Sequence, residues 1–207
     1  MRTLVIDCAT ESCSVALFDE TALVSGDFAM LGRGHAERLV PMIAAMPDKG
    51  RADRIAVALG PGSFTGVRIG LATARALELA WNAPALGYPT LALLAAMAQA
   101  DQGAQPVTCC ITGGHGQWFT QDFDAHGKAA SALASLDPAD AAARTSIPLV
   151  AGSQAEALVT RRGHGSSLAL WPDARAFSLL DPAYLQPATH PLYGRPPDAR
   201  LPGSALP

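Results

Sequence analysis

Asp7 closes the short apolar run Thr3-Leu4-Val5-Ile6, immediately before the turn Cys8–Ser12. A carboxylate at a strand end beside a hairpin turn is placed to hold a metal ion or to orient a nucleophile; the alternative is a solvated strand end. The second candidate is the turn Gly60-Pro61-Gly62-Ser63, which leads into a helix. Free N–H groups at a helix start favour an anion such as phosphate. A P-loop, however, needs Gly, four residues, Gly, then Lys and Ser/Thr, and here Gly66 is followed by Val67 and Arg68. The dinucleotide pattern fails as well, because Gly60, Gly62 and Gly66 are spaced one residue too long. Pro61 presets φ and Gly62 tolerates a positive φ, so the segment reads first as a structural turn. Ser63 lacks the G-x-S-x-G frame of a nucleophile elbow. His35 and Glu37 stand near a helix start without the i, i+4 pairing of helix-borne zinc ligands, and His115, His126, His164 and His190 have no such partners. The layout is that of an enzyme, without a matched set of catalytic groups.

The elements that would position these residues follow from pattern. Arg54–Leu59 is an apolar run suited to a strand buried on both faces. Ser63 or Thr65 can cap a helix from about Phe64 to Trp81. On that helix Arg68, Arg75 and Glu78 share one arc, and nearly everything else is apolar or small. Gly66, Gly70 and Ala74 fall at successive fourth positions and form a groove along which another backbone can approach. That backbone could belong to a second chain or to the same fold. Upstream, Cys13–Asp19 and Ala22–Phe28 read as strands. A helix from about His35 to Met46 places Ala36, Leu39, Val40, Ile43 and Met46 on one face, with Pro41 kinking it or marking its first turn. Ala85-Leu86-Gly87 is a short strand, and Thr90 to about Ala100 a helix. The order β-β-β-α-β-α-β-α gives an α/β mixed sheet covered by helices.

Residues 101–106 are linker-like, and Val107–Thr112, Gly113–Gly116 and Trp118–Phe123 repeat the opening strand, small-residue turn and strand. The chain therefore divides into a first lobe at 1–102, a second, smaller lobe at 103–180, and a tail at 181–207. That tail holds seven prolines and should be extended, lying on a surface or disordered. In the second lobe, helical stretches near 138–144 and 154–161 flank a strand at Pro148-Leu149-Val150.

The net charge of −3 over 207 residues argues against a module that grips RNA by itself. No apolar run approaches the ~20 residues of a membrane span, and the expected location is the cytoplasm. Cys8, Cys13, Cys109 and Cys110 lack zinc spacing and read as buried thiols.

Three segments carry a family resemblance: Leu4–Glu11, Gly34–Ile43 and Gly60–Gly70, with Pro191–Arg200 adding to it. Together they closely resemble the TsaB (YeaZ) family, dimerisation subunits of the bacterial machinery for tRNA threonylcarbamoyladenosine. The resemblance is strong over residues 1–95 and patchy from 105 to 180. It implies a two-lobed actin-like ATPase (ASKHA) fold of two ribonuclease-H-like mixed sheets with flanking helices. It also implies a catalytic paralogue, TsaD, that holds metal through a His-x-x-x-His pair, whereas Thr90 and Leu94 stand at the matching positions here. In ATP-binding relatives the first hairpin carries a glycine where this chain has Ala9, and the family's Asp-Ala-Arg is replaced by Thr112-Gly113-Gly114.

On this resemblance the chain is a non-catalytic scaffold that pairs with TsaD and activates threonylcarbamoyl transfer to N6 of the adenosine beside the anticodon. TsaE docks near the junction, and TsaC or a relative supplies threonylcarbamoyl-adenylate. The chain binds tRNA only through the complex, forms a homodimer when alone, and binds no cofactor or metal by itself, with room for a nucleotide at the junction with TsaD. The partner interface is expected at Leu39, Ile43 and Met46 of one helix and Gly66, Gly70, Leu71, Ala74 and Leu77 of the other. Gly60, Pro61, Gly62, Ser63 and Asp7 are expected as a structural turn or a contact to that nucleotide. The rival reading is an enzyme in its own right, a glycoprotease-type peptidase or an ATPase.

Overall fold

A computed structural model describes residues 1–188, 190–192 and 194. Strands β1 (Arg2–Asp7) and β2 (Ser12–Asp19) form an antiparallel hairpin in register from Arg2 opposite Asp19 to Asp7 opposite Ser14. β3 (Ala22–Met30) extends it as the edge strand, while β4 (Arg54–Ala58) and β5 (Ala85–Tyr88) add in parallel on the other side. Parallel neighbours require crossovers. These are α1 (His35–Ala44) and α2 (Phe64–Trp81). β1, β2 and β4 are covered on both faces, which is why β1 and β4 read as short apolar runs, whereas the edge strand β3 is largely exposed. Leu4, Ile6, Val15 and Val57 join Leu39, Met42, Leu71 and Ala74 under α1 and α2. Val5, Ala16 and Ala56, one residue out of phase, join α3 (Thr90–Gln102) and Phe177 on the other face.

α3 lies between the two sheets and is apolar almost all round, with Leu91, Leu93 and Leu94 at 0% exposure. The second sheet runs β10-β9-β6-β7-β8, from β6 (Val107–Thr112), β7 (Trp118–Phe123), β8 (Ala134–Leu136), β9 (Leu149–Ala151) and β10 (Ser166–Leu168). Without its last strand the first sheet runs β5-β4-β1-β2-β3, the same order counted from its own hairpin. The repeated hairpin visible in the sequence is thus the start of a repeated sheet. Helices α4 (Pro138–Arg144) and α5 (Ala155–Arg162) belong to the second repeat.

Two expectations change. Residues 171–180, assigned above to the second lobe, return to the first sheet. There the Ser12 hydroxyl donates to the Pro172 carbonyl (3.1 Å) and the Ala174 N–H donates to the Ser14 hydroxyl (2.9 Å). Phe177 fills the space between Phe18 and Tyr88, with ring centroids 6.1 and 5.6 Å away. Part of the proline-rich tail is likewise built into the sheet: β11 (Gln186–Pro187) pairs with β5. Tyr193 and the family-like end from Arg195 lie outside the described residues. Among the described residues no helix is long and apolar enough to cross a membrane.

Candidate functional site

The glycine turn is pressed onto the first hairpin. The Ser63 N–H donates to the Ala9 carbonyl (2.7 Å), and the Ser63 hydroxyl caps α2 by accepting from the Gly66 N–H (3.2 Å). A Cβ on Gly62 would run into the Ala9 carbonyl and one on Gly66 into the Cys8 carbonyl, so both glycines are set by backbone approach. Gly60 has φ 92°, again a glycine position. Of the amides that could hold a phosphate, those of Ser63 and Gly66 are therefore already engaged. The turn still borders a cleft of about 320 Å³ between the two lobes. Thr10 and Glu11 of the first hairpin, Gly62 and Ser63 of the turn, and Thr112 and Gly113 of the second hairpin meet there. No lysine or arginine is among the described residues that line it. The Thr112-Gly113-Gly114 triplet makes a closed turn, the Gly113 N–H donating to the Gln117 carbonyl (2.7 Å) while Gln154 donates to the Thr112 hydroxyl (2.9 Å).

Asp7 is not at a solvated strand end. It is fully buried; one carboxylate oxygen accepts from the Ala9 N–H (3.0 Å) and the other from the Tyr88 hydroxyl (3.1 Å). Burial pushes its pKa up to about 7 against the pull of those two donors, with the charge of Asp173 adding to the rise. Burial likewise drives the Tyr88 hydroxyl well above its usual range. So enclosed, the carboxyl group joins the first hairpin to β5 through Tyr88. Thr90 and Leu94 are both completely buried and neither offers a metal-binding atom of imidazole type. Among the described residues no group of three or more His, Cys, Asp and Glu could hold a metal ion. His35 is buried at the start of α1, its Nε2 bonded to the carbonyls of Thr10 (2.9 Å) and Ser12 (3.2 Å). Neither Tyr88 nor His35 was marked as a partner of the hairpin, because strand registers and helix placement bring them there across 81 and 25 residues. The four cysteines are free and buried.

The expected interface residues face inward. Leu39 (0%), Ile43 (4%), Met46 (5%), Leu71 (7%) and Ala74 (0%) are core; Gly66 and Gly70 are buried, and Leu77 is half-buried. The small-residue stripe is the groove by which α2 lies on its own sheet: Gly66 sits on the Cys8 carbonyl, and Gly70 faces Val57, Ile6 and Cys8. Ala36 and Val40, expected on the buried face of α1, point outward instead. The opposite face of α2 is open, with Ala72, Ala76, Leu79 and Ala80 exposed beside Arg68 and Arg75. Leu79 is 87% exposed and Val40 on neighbouring α1 57%. Leu79 and the neighbouring alanines make an exposed apolar strip beside the two arginines.

A family model described as TsaD, tRNA N6-adenosine threonylcarbamoyltransferase, matches residues 29–172. The chain belongs to that family. It is also similar to proteins named TsaB and YeaZ. It is 37% identical over 128 residues to "tRNA threonylcarbamoyladenosine biosynthesis protein TsaB" of Escherichia coli, covering 59% of this chain and 55% of that protein. The Haemophilus influenzae protein of the same name is 37% identical over 120 residues, covering 54% and 49%. The matched stretch thus spans about half the length of these relatives. YeaZ from Pseudomonas aeruginosa superposes with a TM-score of 0.77 at 29% identity, over 93% of this chain and 99% of that one. The ethanolamine utilization protein EutJ of Carboxydothermus hydrogenoformans (TM-score 0.50, 12% identity, covering 87% and 90%) shares the fold alone. The two-lobed actin-like fold expected from the sequence is therefore the fold of this TsaD-family chain.

Proposed function

We propose that this chain is the non-catalytic partner subunit of a TsaD-type transferase in tRNA threonylcarbamoyladenosine synthesis. It would hold that enzyme active while threonylcarbamoyl passes to N6 of the adenosine beside the anticodon. The names of its TsaB relatives support the pathway. The observation that carries the pairing is the exposed apolar strip of α2 around Leu79, with Val40 exposed on α1 as well. The candidate chemical groups of the first lobe support the same reading, since Asp7 and the glycine turn are engaged with their own chain. Burying a Leu or Val side chain contributes ~1.5–3 kcal/mol, so covering Leu79 and Val40 favours association. TsaE and TsaC, or a relative, complete the proposed pathway around this pair, in the cytoplasm. The junction leaves room for a nucleotide, tRNA is reached through the complex, and the same face pairs two copies weakly when TsaD is absent.

The test is Leu79→Glu combined with Val40→Glu, purified and mixed with TsaD. Both positions are exposed, so each change should alter stability by no more than ~0.5 kcal/mol, while co-elution with TsaD is lost. Full-affinity co-elution of the double variant would refute the face. Metal-dependent turnover of ATP or of a denatured protein by the isolated chain, abolished by Asp7→Ala, would refute the non-catalytic role.

A further inference from the structure

The last paired rung of the first hairpin sets Asp7 opposite Ser14, and the next residue on each strand is a cysteine, Cys8 and Cys13. Facing residues of an antiparallel pair put their side chains on the same face. Both cysteines accordingly join Ile6 and Val15 in the core under α1 and α2. Their sulfurs lie 3.5 Å apart, hydrogen-bonded to each other. Both residues are buried and both thiols are free. A disulfide needs its sulfurs ~2.05 Å apart, so side-chain rotation has only ~1.5 Å to close from the observed 3.5 Å.

The other two cysteines make the contrast. Cys109 and Cys110 are neighbours on β6, and successive side chains of a strand point to opposite faces. Cys109 packs with α3 and Cys110 with α5, so the sheet itself stands between their thiols. We infer that Cys8 and Cys13 are a reversible redox site, closing to an intramolecular disulfide when the chain meets hydrogen peroxide. One sulfur, as its thiolate, attacks a peroxide oxygen; the O–O bond breaks, the sulfur becomes a sulfenic acid, and the other oxygen takes up a proton and leaves as water. The second thiol then attacks that sulfur, its proton goes to the departing hydroxyl, and a second water leaves. Two thiols and one peroxide become one disulfide and two waters, the sulfur pair giving up two electrons to the O–O bond. Hydrogen peroxide suits a buried pair, because the intermediate adds a single oxygen to the core and the neighbouring thiol intercepts it before further oxidation. Entry needs only a local opening of the turn at Ala9–Glu11, where Glu11 is partly exposed. The bond would lie beneath the first turn of α2, where the Cys8 carbonyl abuts Gly66 and the Ala9 carbonyl accepts from the Ser63 N–H (2.7 Å). In a reducing compartment a bond of this kind is transient rather than structural. The site is a property of the first hairpin and holds whether or not α2 is a partner surface.

Thiol counting on the unaltered full chain tests it. The folded protein is treated with hydrogen peroxide, the excess is destroyed with catalase, and the chain is denatured and capped with N-ethylmaleimide. Untreated protein takes four maleimides, one for each free thiol. Treated protein should take two, and peptide mapping should find Cys8 joined to Cys13 with a mass lower by two hydrogens. Dithiothreitol added before capping should restore all four. The same treatment of Cys8→Ala should form no disulfide within the chain. Four maleimides after peroxide, oxygen added at Cys8 or Cys13 in place of a bond, or a bond made through Cys109 or Cys110 or between two chains would each overturn the inference.

Discussion

Two glycines four residues apart on α2 should respond in opposite directions to the same substitution. Alanine for glycine within a helix ordinarily stabilises by ~1 kcal/mol. If helix propensity alone mattered, Gly66→Ala and Gly70→Ala would both be gains. At Gly70 an added methyl meets Val57 Cγ2 at 3.4 Å, Ile6 Cγ2 at 3.7 Å and Cys8 Cβ at 3.8 Å, which is ordinary contact. At Gly66 it falls far inside 3.0 Å of the Cys8 carbonyl oxygen, a backbone atom that cannot rotate away. Overpacking costs ~1–3 kcal/mol, and rigid backbone places Gly66→Ala at the upper end. Net of propensity, Gly66→Ala should lose about 2 kcal/mol and Gly70→Ala gain up to about 1. For a chain of this size the midpoint moves about 2–4 °C per kcal/mol, giving a fall of roughly 4–8 °C for one variant and a rise of a few degrees for the other. Thermal and urea unfolding followed by circular dichroism measure both. A Gly66→Ala protein as stable as the unaltered chain, or two shifts of the same sign, would refute the view that this stripe packs on its own sheet. A stripe reserved for a second chain would leave the isolated protein with only the helix-propensity gain at Gly66→Ala.

The remaining predictions concern the hairpin and its supports. Asp7 binds its proton more tightly folded, with a pKa of about 7, than in an unfolded chain, so its share of stability is complete below about pH 4 and is lost as pH rises through 7. Stability measured from pH 4 to 8 should therefore fall by a few kcal/mol on the order of 3–4 through this one group, and Asp7→Asn should flatten that window; an identical slope in the variant would refute it. Ser63→Ala removes the α2 cap and should cost ~1 kcal/mol, read by urea denaturation. Because the Thr10 and Ser12 carbonyls can only accept, His35 Nε2 carries the hydrogen between them. His35→Ala should therefore cost ~1–3 kcal/mol and speed hydrogen exchange at the Thr10–Ser12 turn.

Local signals in the sequence were sufficient wherever one element decided its own form. The α2 limits, Phe64–Trp81, follow from a cap at Ser63 and a continuous apolar run, and they hold to the residue. The repeated hairpin at Val107–Phe123 announces the second sheet for the same reason. Which side of α2 is covered could not be read this way, because the helix is apolar on both. Glycines mark the side where backbone comes closest, and the closest backbone turned out to be the hairpin at Cys8 and Ala9. Leu79 carries no spacing signal of its own, and its exposure depends on where the sheet lies. The return of Trp171–Leu180 to the first sheet is equally non-local, since the hydrogen bonds that fix it join residues 160 apart.

The same contacts bear on what the first hairpin and the glycine turn offer a ligand. A ligand held at such a turn needs backbone donors pointing into the cleft and a carboxylate within reach of it. Here the Ser63 amide points to Ala9, and the Asp7 carboxylate turns away from the cleft to Tyr88, beneath a layer formed by Phe177 and α3. The polar side chains that reach the cleft from the two hairpins are Thr10, Glu11 and Thr112, two hydroxyls and an acid, a poor match for a polyphosphate. Each of these arrangements ties the hairpin, the glycine turn and α2 into one rigid block. A block of that kind is suited to presenting the outer face of α2 in a fixed position, because a preorganised surface loses little freedom on association. Stiffness at Cys8, Ala9 and Gly66 and openness at Leu79 are thus two consequences of one packing arrangement. Loosening the hairpin through His35→Ala should weaken TsaD binding although that residue is buried away from the face, and unchanged affinity in that variant would separate the two.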